Sequence, residues 1–262
     1  MEERNYMVKP RVLILRVGGT NCDYETEWAF RLAGAISERV HLNMIKSGER
    51  KLSDYQALVI PGGFSYGDDI SAGKVLANLI RYAIQDDMNR FVQEGKPVVG
   101  ICNGFQVLVK SGFLPWEGEQ TVTLAWNDSA RFEDRWVYLK VEKSVSPFFR
   151  GLPDIIKLPV AHAEGKFVVS SGDIYERLEK NEQVVLRYCD SSGNPAGYPF
   201  NPNGSTGSIA AVCDRTGLIM GMMPHPERAL LGCFYPDAIG TGKTVEKGFG
   251  YTVFKNIVAH IR

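Results

Sequence analysis

The apolar positions fall into two regimes along the chain. Up to Gly112 they form short, mostly apolar runs at residues 11–17, 42–45, 57–60 and 97–101, separated by stretches in which apolar residues recur at helical spacing. Short aliphatic, β-branched runs bounded by Gly or Pro predict strands buried on both faces, and the period of about 3.6 between them predicts amphipathic helices. One helix is expected from Asp23, as its cap, to about Ala35. A long one should run from about Ala72 to Gln93 and end at Gly95, and another should resume at Phe105 after the fourth strand. The order β-α-β-β-α-β-α predicts an α/β fold with a mostly parallel sheet flanked by helices, and its site lies at the carboxyl ends of the strands.

Beyond Gly112 the pattern changes. The runs at 136–141, 184–189 and 209–213 predict additional, partly antiparallel strands, residues 218–223 a last strand, and residues 250–262 a terminal helix. Neither a repeat nor a linker interrupts the 262 residues, so a single domain over 1–262 is expected. The segment 191–208 is rich in Gly, Pro, Asn and Ser, and is long enough for a structureless connection to suggest a functional loop.

Composition narrows the class. With 44% hydrophobic residues, 23% charged residues and zero formal net charge, the chain can bury a large core and has no electrostatic footprint for nucleic acid or an anionic membrane. The charged start, Met1 to Tyr6, has no apolar signal region behind it, which predicts a cytoplasmic protein. Five cysteines, odd in number and widely spaced, fit reduced thiols.

One of those cysteines changes the picture. Gly100-Ile101-Cys102-Asn103-Gly104 lies between the fourth strand and a helix, the cysteine form of a nucleophile elbow. Flanking glycines permit a strained turn there, and the helix N-terminus offers unpaired N–H groups to a negatively charged sulfur. Cys22 also stands between a strand and a helix, but no glycine follows it, so its turn is no elbow; Cys189 and Cys213 fall within strands and read as core. Residues 241–244 resemble the end of a phosphate-binding loop, yet the earlier glycine is missing and no strand leads in. No Cys/His cluster has zinc spacing, so neither a metal nor a cofactor is expected on this chain.

A thiolate that attacks a carbonyl needs a base that can later protonate the leaving group. Of four histidines, His41 before a strand and His260 in the terminal helix read as ordinary. His162-Ala163-Glu164 and His225-Pro226-Glu227 each place a carboxylate two residues on, facing the same way if the backbone is extended. Pro226 favours the second pair, because it biases His225 toward extended geometry and fixes its own φ. Donors for an oxyanion are expected from the Asn103 N–H and from Gly62 or Gly63 in the glycine-rich loop after the third strand.

With Gly62-Gly63, the Cys102 elbow and His225-Pro226-Glu227 in that order, the chain resembles the class I (triad) glutamine amidotransferases over most of its length. The motifs at 19–23, 62–68, 131–137, 161–165 and 201–205 are similar to the branch whose members serve the amidination of formylglycinamide ribonucleotide in purine synthesis. That resemblance implies a thioester on Cys102, formed from free glutamine, and ammonia delivered to a separate large synthetase subunit that uses ATP and magnesium, with a small bridging subunit. Asn21, Ser65, His162, Glu164 and Asn203 lie in these motifs and are expected on a substrate or partner surface near the mouth of the site. Two other readings stay open: a glutaminase or cysteine hydrolase serving another purpose, and a non-catalytic assembly subunit.

Overall fold

The structure, a computed structural model, describes residues 8–118, 120–238 and 246–262. Met1 to Tyr6 and the 241–244 segment therefore lie outside the described residues. The first half builds β1 (Arg11–Arg16), α1 (Asp23–Leu32), β2 (Ile36–His41), α2 (Leu42–Lys46), β3 (Ala57–Ile60), α3 (Lys74–Ala83), α4 (Gln85–Gln93), β4 (Val98–Ile101) and α5 (Asn103–Ser111). The second half adds β5 (Val122–Ala125), β6 (Glu133–Val141), β7 (Ile155–His162), β8 (Lys166–Val169), α6 (Gly172–Lys180), β9 (Val184–Cys189), β10 (Ile209–Cys213), β11 (Ile219–Met222) and α7 (Phe249–His260).

Among the described residues nine strands form one sheet in the order β2-β1-β3-β4-β11-β10-β9-β6-β7. From β2 to β11 every neighbour is parallel. From β11 to β7 every neighbour is antiparallel. The mostly parallel, helix-flanked half and the antiparallel extension are thus one continuous sheet. β5 and β8 pair separately. The central strands β3, β4 and β11 are buried at every residue, as strands covered on both faces must be, so their apolar runs are unbroken. Among the described residues no helix is long and apolar enough to cross a membrane.

Four expectations are corrected here. Residues 42–45 are helix, and the second strand is Ile36–His41; Leu42 and Ile45 are both buried, three apart on one helical face, whereas β2 is a polar-rich edge strand in which only Ser37 and Val40 are buried. His41 accordingly ends a strand and caps α2, its Nδ1 accepting from the Asn43 N–H at 3.1 Å. The stretch from 72 to 93 is two helices that break at Ile84, where φ is −138°. Asp23 is the first helical residue and no cap; Cys22 holds the cap position, and Asp23 is buried beside Arg16 and Arg39.

Close packing at the elbow makes a stability prediction. A Cβ on Gly104 would lie 1.8 Å from the Ile60 carbonyl oxygen, so α5 meets the end of β3 only through a glycine. Gly104→Ala should cost about 1–3 kcal/mol or more, as forced overpacking does. Gly172→Ala, at a site with nothing within 4 Å, should be neutral or slightly stabilising. Urea midpoints of the two variants check this; equal midpoints would refute the packing argument.

Candidate active site

Cys102 ends β4 and stands at the cap position of α5 with φ 50° and ψ −103°, a positive-φ conformation that residues with a Cβ avoid. The turn is held from both sides: the Cys102 N–H donates to Met222 O of β11 at 2.7 Å, and a Cβ on Gly100 would lie 2.5 Å from Gly104 O. The strain therefore fixes one thiol at the end of the central strands. Its Sγ donates to Ala161 O at 3.5 Å, and the residue is only 5% exposed.

His225 follows β11, and its N–H donates to Pro159 O of β7 at 2.8 Å. Its Nδ1 lies 2.6 Å from Glu227 Oε1, and both side chains are buried. The geometry differs from the expectation of an extended pair. Pro226 opens a single 3-10 turn, Pro226–Arg228, and that turn brings the carboxylate back to the ring. Burial alone would lower the His225 pKa, but the Glu227 carboxylate and then the Cys102 sulfur outweigh it and raise it well above 6.5. The charged form of the imidazole is therefore favoured, with the Glu227 carboxylate and the Cys102 sulfur beside it. Glu227 fixes Nδ1 as the proton-bearing nitrogen toward itself, which leaves Nε2 for chemistry.

Gly62 lies against this ring. A Cβ there would stand 2.8 Å from His225 Cε1 and 3.2 Å from Cys22 Sγ, so only glycine leaves room for the imidazole. Gly63, with φ 141°, packs on the 18–21 backbone, where a Cβ would come within 2.7 Å of Asn21 N. Asn103 is buried directly after Cys102. Gly62, Gly63 and Asn103 thus belong to two backbone segments that meet at the elbow.

Cys22 is closer to the site than its sequence context suggests. Its sulfur accepts from Arg228 Nη2 at 3.2 Å, and ligand atoms of Cys22, His225 and Glu227 lie within 4.8 Å of one another. The guanidinium beside that sulfur opposes a divalent cation there, and the cluster reads as a support for the imidazole. Sequence reasoning misses Arg228, although it directly follows Glu227.

The five residues expected on a surface divide. Asn21 is exposed. Ser65, His162 and Asn203 are buried, at 2%, 3% and 0% exposure, and Glu164 is largely covered, so of the five only Asn21 offers an exposed face. Asn203, Glu164 and His162 are bonded inside through their side chains, whereas Ser65 Oγ is buried with no hydrogen-bond partner among the described residues. Asn203 Nδ2 donates to Gly165 O and Tyr188 Oη, which fastens the 191–208 segment to the β7–β8 turn and to β9. Glu164 pairs with Lys110 and accepts from the Ala72 N–H. His162 Nδ1 lies 3.1 Å from Asn127 Oδ1, an oxygen that also accepts from Gly165 N–H while the Asn127 amide nitrogen donates to His162 O and Arg131 O. Nδ1 of His162 therefore carries the proton. Burial, then the nearby charge of His225, pushes its pKa down to about 3, so this imidazole is neutral. Its ring is oriented by an amide where a carboxylate was expected.

The two histidine-carboxylate pairs that look equivalent in sequence are thus opposite in kind. One is a charged ring locked to its carboxylate; the other is a neutral ring held by an amide.

Comparison with known proteins gives a consistent set. A model of the CobB/CobQ-like glutamine amidotransferase domain matches residues 9–261. Phosphoribosylformylglycinamidine synthase subunit PurQ of Methanococcus maripaludis is 45% identical over 88% of this chain and 86% of its own length. The protein of the same name from Archaeoglobus fulgidus is 43% identical over 96% and 97%. Among solved structures, a chain of PurLQS from Thermotoga maritima superposes with a TM-score of 0.75 at 31% identity, covering 97% of this chain and 100% of that one. A glutamine amidotransferase from Thermotoga maritima, 19% identical with a TM-score of 0.51 over 84% of this chain and 77% of that one, shares the fold.

Proposed function

The chain belongs to the CobB/CobQ-like glutamine amidotransferases, and from that membership we propose that it is the glutaminase subunit of phosphoribosylformylglycinamidine synthase. It hydrolyses glutamine and supplies ammonia to a synthetase subunit that converts formylglycinamide ribonucleotide to its amidine in purine synthesis. The relatives' shared name supports the pathway. The observation that carries the chemistry is the strained Cys102 elbow beside a buried imidazole locked 2.6 Å from Glu227.

In this reading the Cys102 sulfur attacks the glutamine amide carbon, and the oxyanion takes N–H donors from Asn103 and the 62–63 segment. The imidazolium of His225 gives its Nε2 proton to the departing ammonia, leaving a Cys102 thioester. The neutral ring then takes a proton from water, which attacks the thioester and releases glutamate with the thiolate restored. Glu227 stabilises each imidazolium that forms and keeps the ring in one tautomer. ATP and magnesium are used by the synthetase subunit, a small third subunit bridges the two, and the assembly works in the cytoplasm.

Burial of the nucleophile supports dependence on a partner. At 5% exposure Cys102 is nearly closed to solvent, and in this reading a docked synthetase supplies the binding energy that opens the segments around it to glutamine. Exposed Asn21 sits on the 18–21 loop that packs on Gly63, so contact there reaches the oxyanion segment directly. Adding synthetase and bridging subunits with acceptor nucleotide and MgATP should raise glutamate release about ten- to a hundredfold, which needs only about 1.4–2.7 kcal/mol of differential binding. Equal rates with and without partners would point to a free-standing glutaminase, and absence of glutamate release under both would refute the glutaminase reading.

A further inference from the structure

The segment between β3 and α3 carries the proposed oxyanion glycines, and its backbone is one that the chain would not adopt unaided. Tyr66, Asp68 and Ile70 have φ of 55°, 54° and 74°, left-handed values unfavourable for any residue with a Cβ. Such a loop persists only where other groups over-determine it.

Those groups converge on one carboxylate. Asn103 Nδ2 donates to Asp68 Oδ1 at 2.9 Å, and the Gly73 N–H at the head of α3 donates to the same oxygen at 3.2 Å. The other end of the Asn103 amide, Oδ1, accepts from the Ser65 N–H at 3.2 Å. The side chain next to the nucleophile is therefore clamped between the two ends of the loop: Ser65 just after the glycines and Asp68 before α3. Asn103 Nδ2 also donates to Gln106 Oε1 at 3.0 Å, which sets which end of the amide faces Asp68.

We propose that Asp68 is a positioning residue for glutamine hydrolysis: through the Asn103 side chain it locks residues 62–65, and with them the oxyanion donors, in register with the Cys102 elbow. This rests on the glutaminase reading. Asp68 has no place in bond making. It acts by fixing the distance between two backbone segments, Gly62-Gly63 and the first turn of α5, whose N–H groups must point at one oxygen, and small misplacements of such donors are expensive in rate. Burial raises the Asp68 pKa, and the Gly73 N–H and Asn103 amide pull it back, as expected where both donors engage the carboxylate.

Asp68→Ala removes the shared acceptor, whereas Asp68→Asn keeps one oxygen able to accept from Asn103 and Gly73. In the complete assembly, Asp68→Ala should lower kcat for glutamate release about ten- to a hundredfold with KM for glutamine changed less than about threefold, and Asp68→Asn should return kcat to within about threefold of the parent. Alkylation of Cys102 by a haloacetamide, which forms no oxyanion, should stay within about twofold in both variants. A kcat for Asp68→Ala within about twofold of the parent would overturn the proposal. So would a fall in kcat matched by slower alkylation and not rescued by asparagine, since that is general loss of structure. Amide hydrogen exchange gives a readout independent of turnover: Ser65 and Gly73 should lose protection in Asp68→Ala, while the strand amides of β1 do not. If the parent assembly released no glutamate, the glutaminase reading would fall by itself, and unchanged exchange at Ser65 and Gly73 would still sink the clamp.

Discussion

Cys102→Ala should reduce glutamate release by about a thousandfold or more, with the fold intact. Removal of a nucleophile leaves only the acceleration from binding and oxyanion donors, and alanine at this position keeps the strained turn that the surrounding glycines allow. The control is Cys22, because it is the other helix-cap thiol at the same imidazole and competes for the same role. Its sulfur is engaged by Arg228 and lies against Gly62, and no glycine-flanked turn presents it. Intact mass after a glutamine-analogue alkylator should therefore show one adduct, at Cys102, and Cys22→Ser should keep it. An adduct at Cys22 with Cys102 unmodified would transfer the nucleophile's role. Full glutamate release by Cys102→Ala would remove the covalent route altogether.

Legibility in the sequence depends on where each residue's partners come from. The central strands and the elbow are local: an apolar run between glycines needs no distant information to be read as a buried strand, and β3, β4, β9 and β10 lie where the pattern predicts them. Edge strands are different. β2 has polar residues on its open side, and Pro159 lies in β7 at the far edge, where a missing N–H costs the ladder nothing; both patterns mislead a reading that looks for continuous apolar runs. The same distinction governs the site. His225 and Glu227 are two residues apart and legible as a pair, although strand alternation suggests the pairing and the actual device is a 3-10 turn. The motifs place His162, Glu164 and Asn203 on a surface near the mouth of the site, yet their partners Asn127, Lys110 and Gly165 are tens of residues away in sequence and hold them inside. Polar composition predicts exposure only where no distant partner satisfies the group. Asp68, Arg228 and the approach of Cys22 to His225 escape a sequence reading for that reason.

The contrast between the two imidazoles yields the second large effect. His225→Ala should lower glutamate release by about a thousandfold, comparable to loss of the nucleophile, because proton delivery to ammonia and thiolate stabilisation go together. Glu227→Gln should cost less, since the ring keeps a hydrogen-bond partner at Nδ1 and loses charge support. His162→Asn should leave thioester formation within about tenfold of the parent, because asparagine can still donate toward Asn127 Oδ1 and the native ring is neutral at working pH. Its effect belongs to stability. The folded chain keeps His162 neutral down to about pH 3, whereas an unfolded chain's histidine takes up a proton near 6.5. Acidification from 6.5 toward 3 therefore favours the unfolded state through this residue, and His162→Asn should flatten that acid limb. His225 works in the opposite direction: its raised pKa contributes stability that is fully present below 6.5 and is lost as pH rises through the raised value, so His225→Ala should flatten the alkaline limb. Urea midpoints measured across pH 4 to 9, a range of about five units chosen to bracket the ordinary histidine value, separate the two. If His162→Ala abolished thioester formation while His225→Ala spared it, the assignment of the base would be reversed, and the neutral, amide-held ring would have to do chemistry for which it has no charge partner.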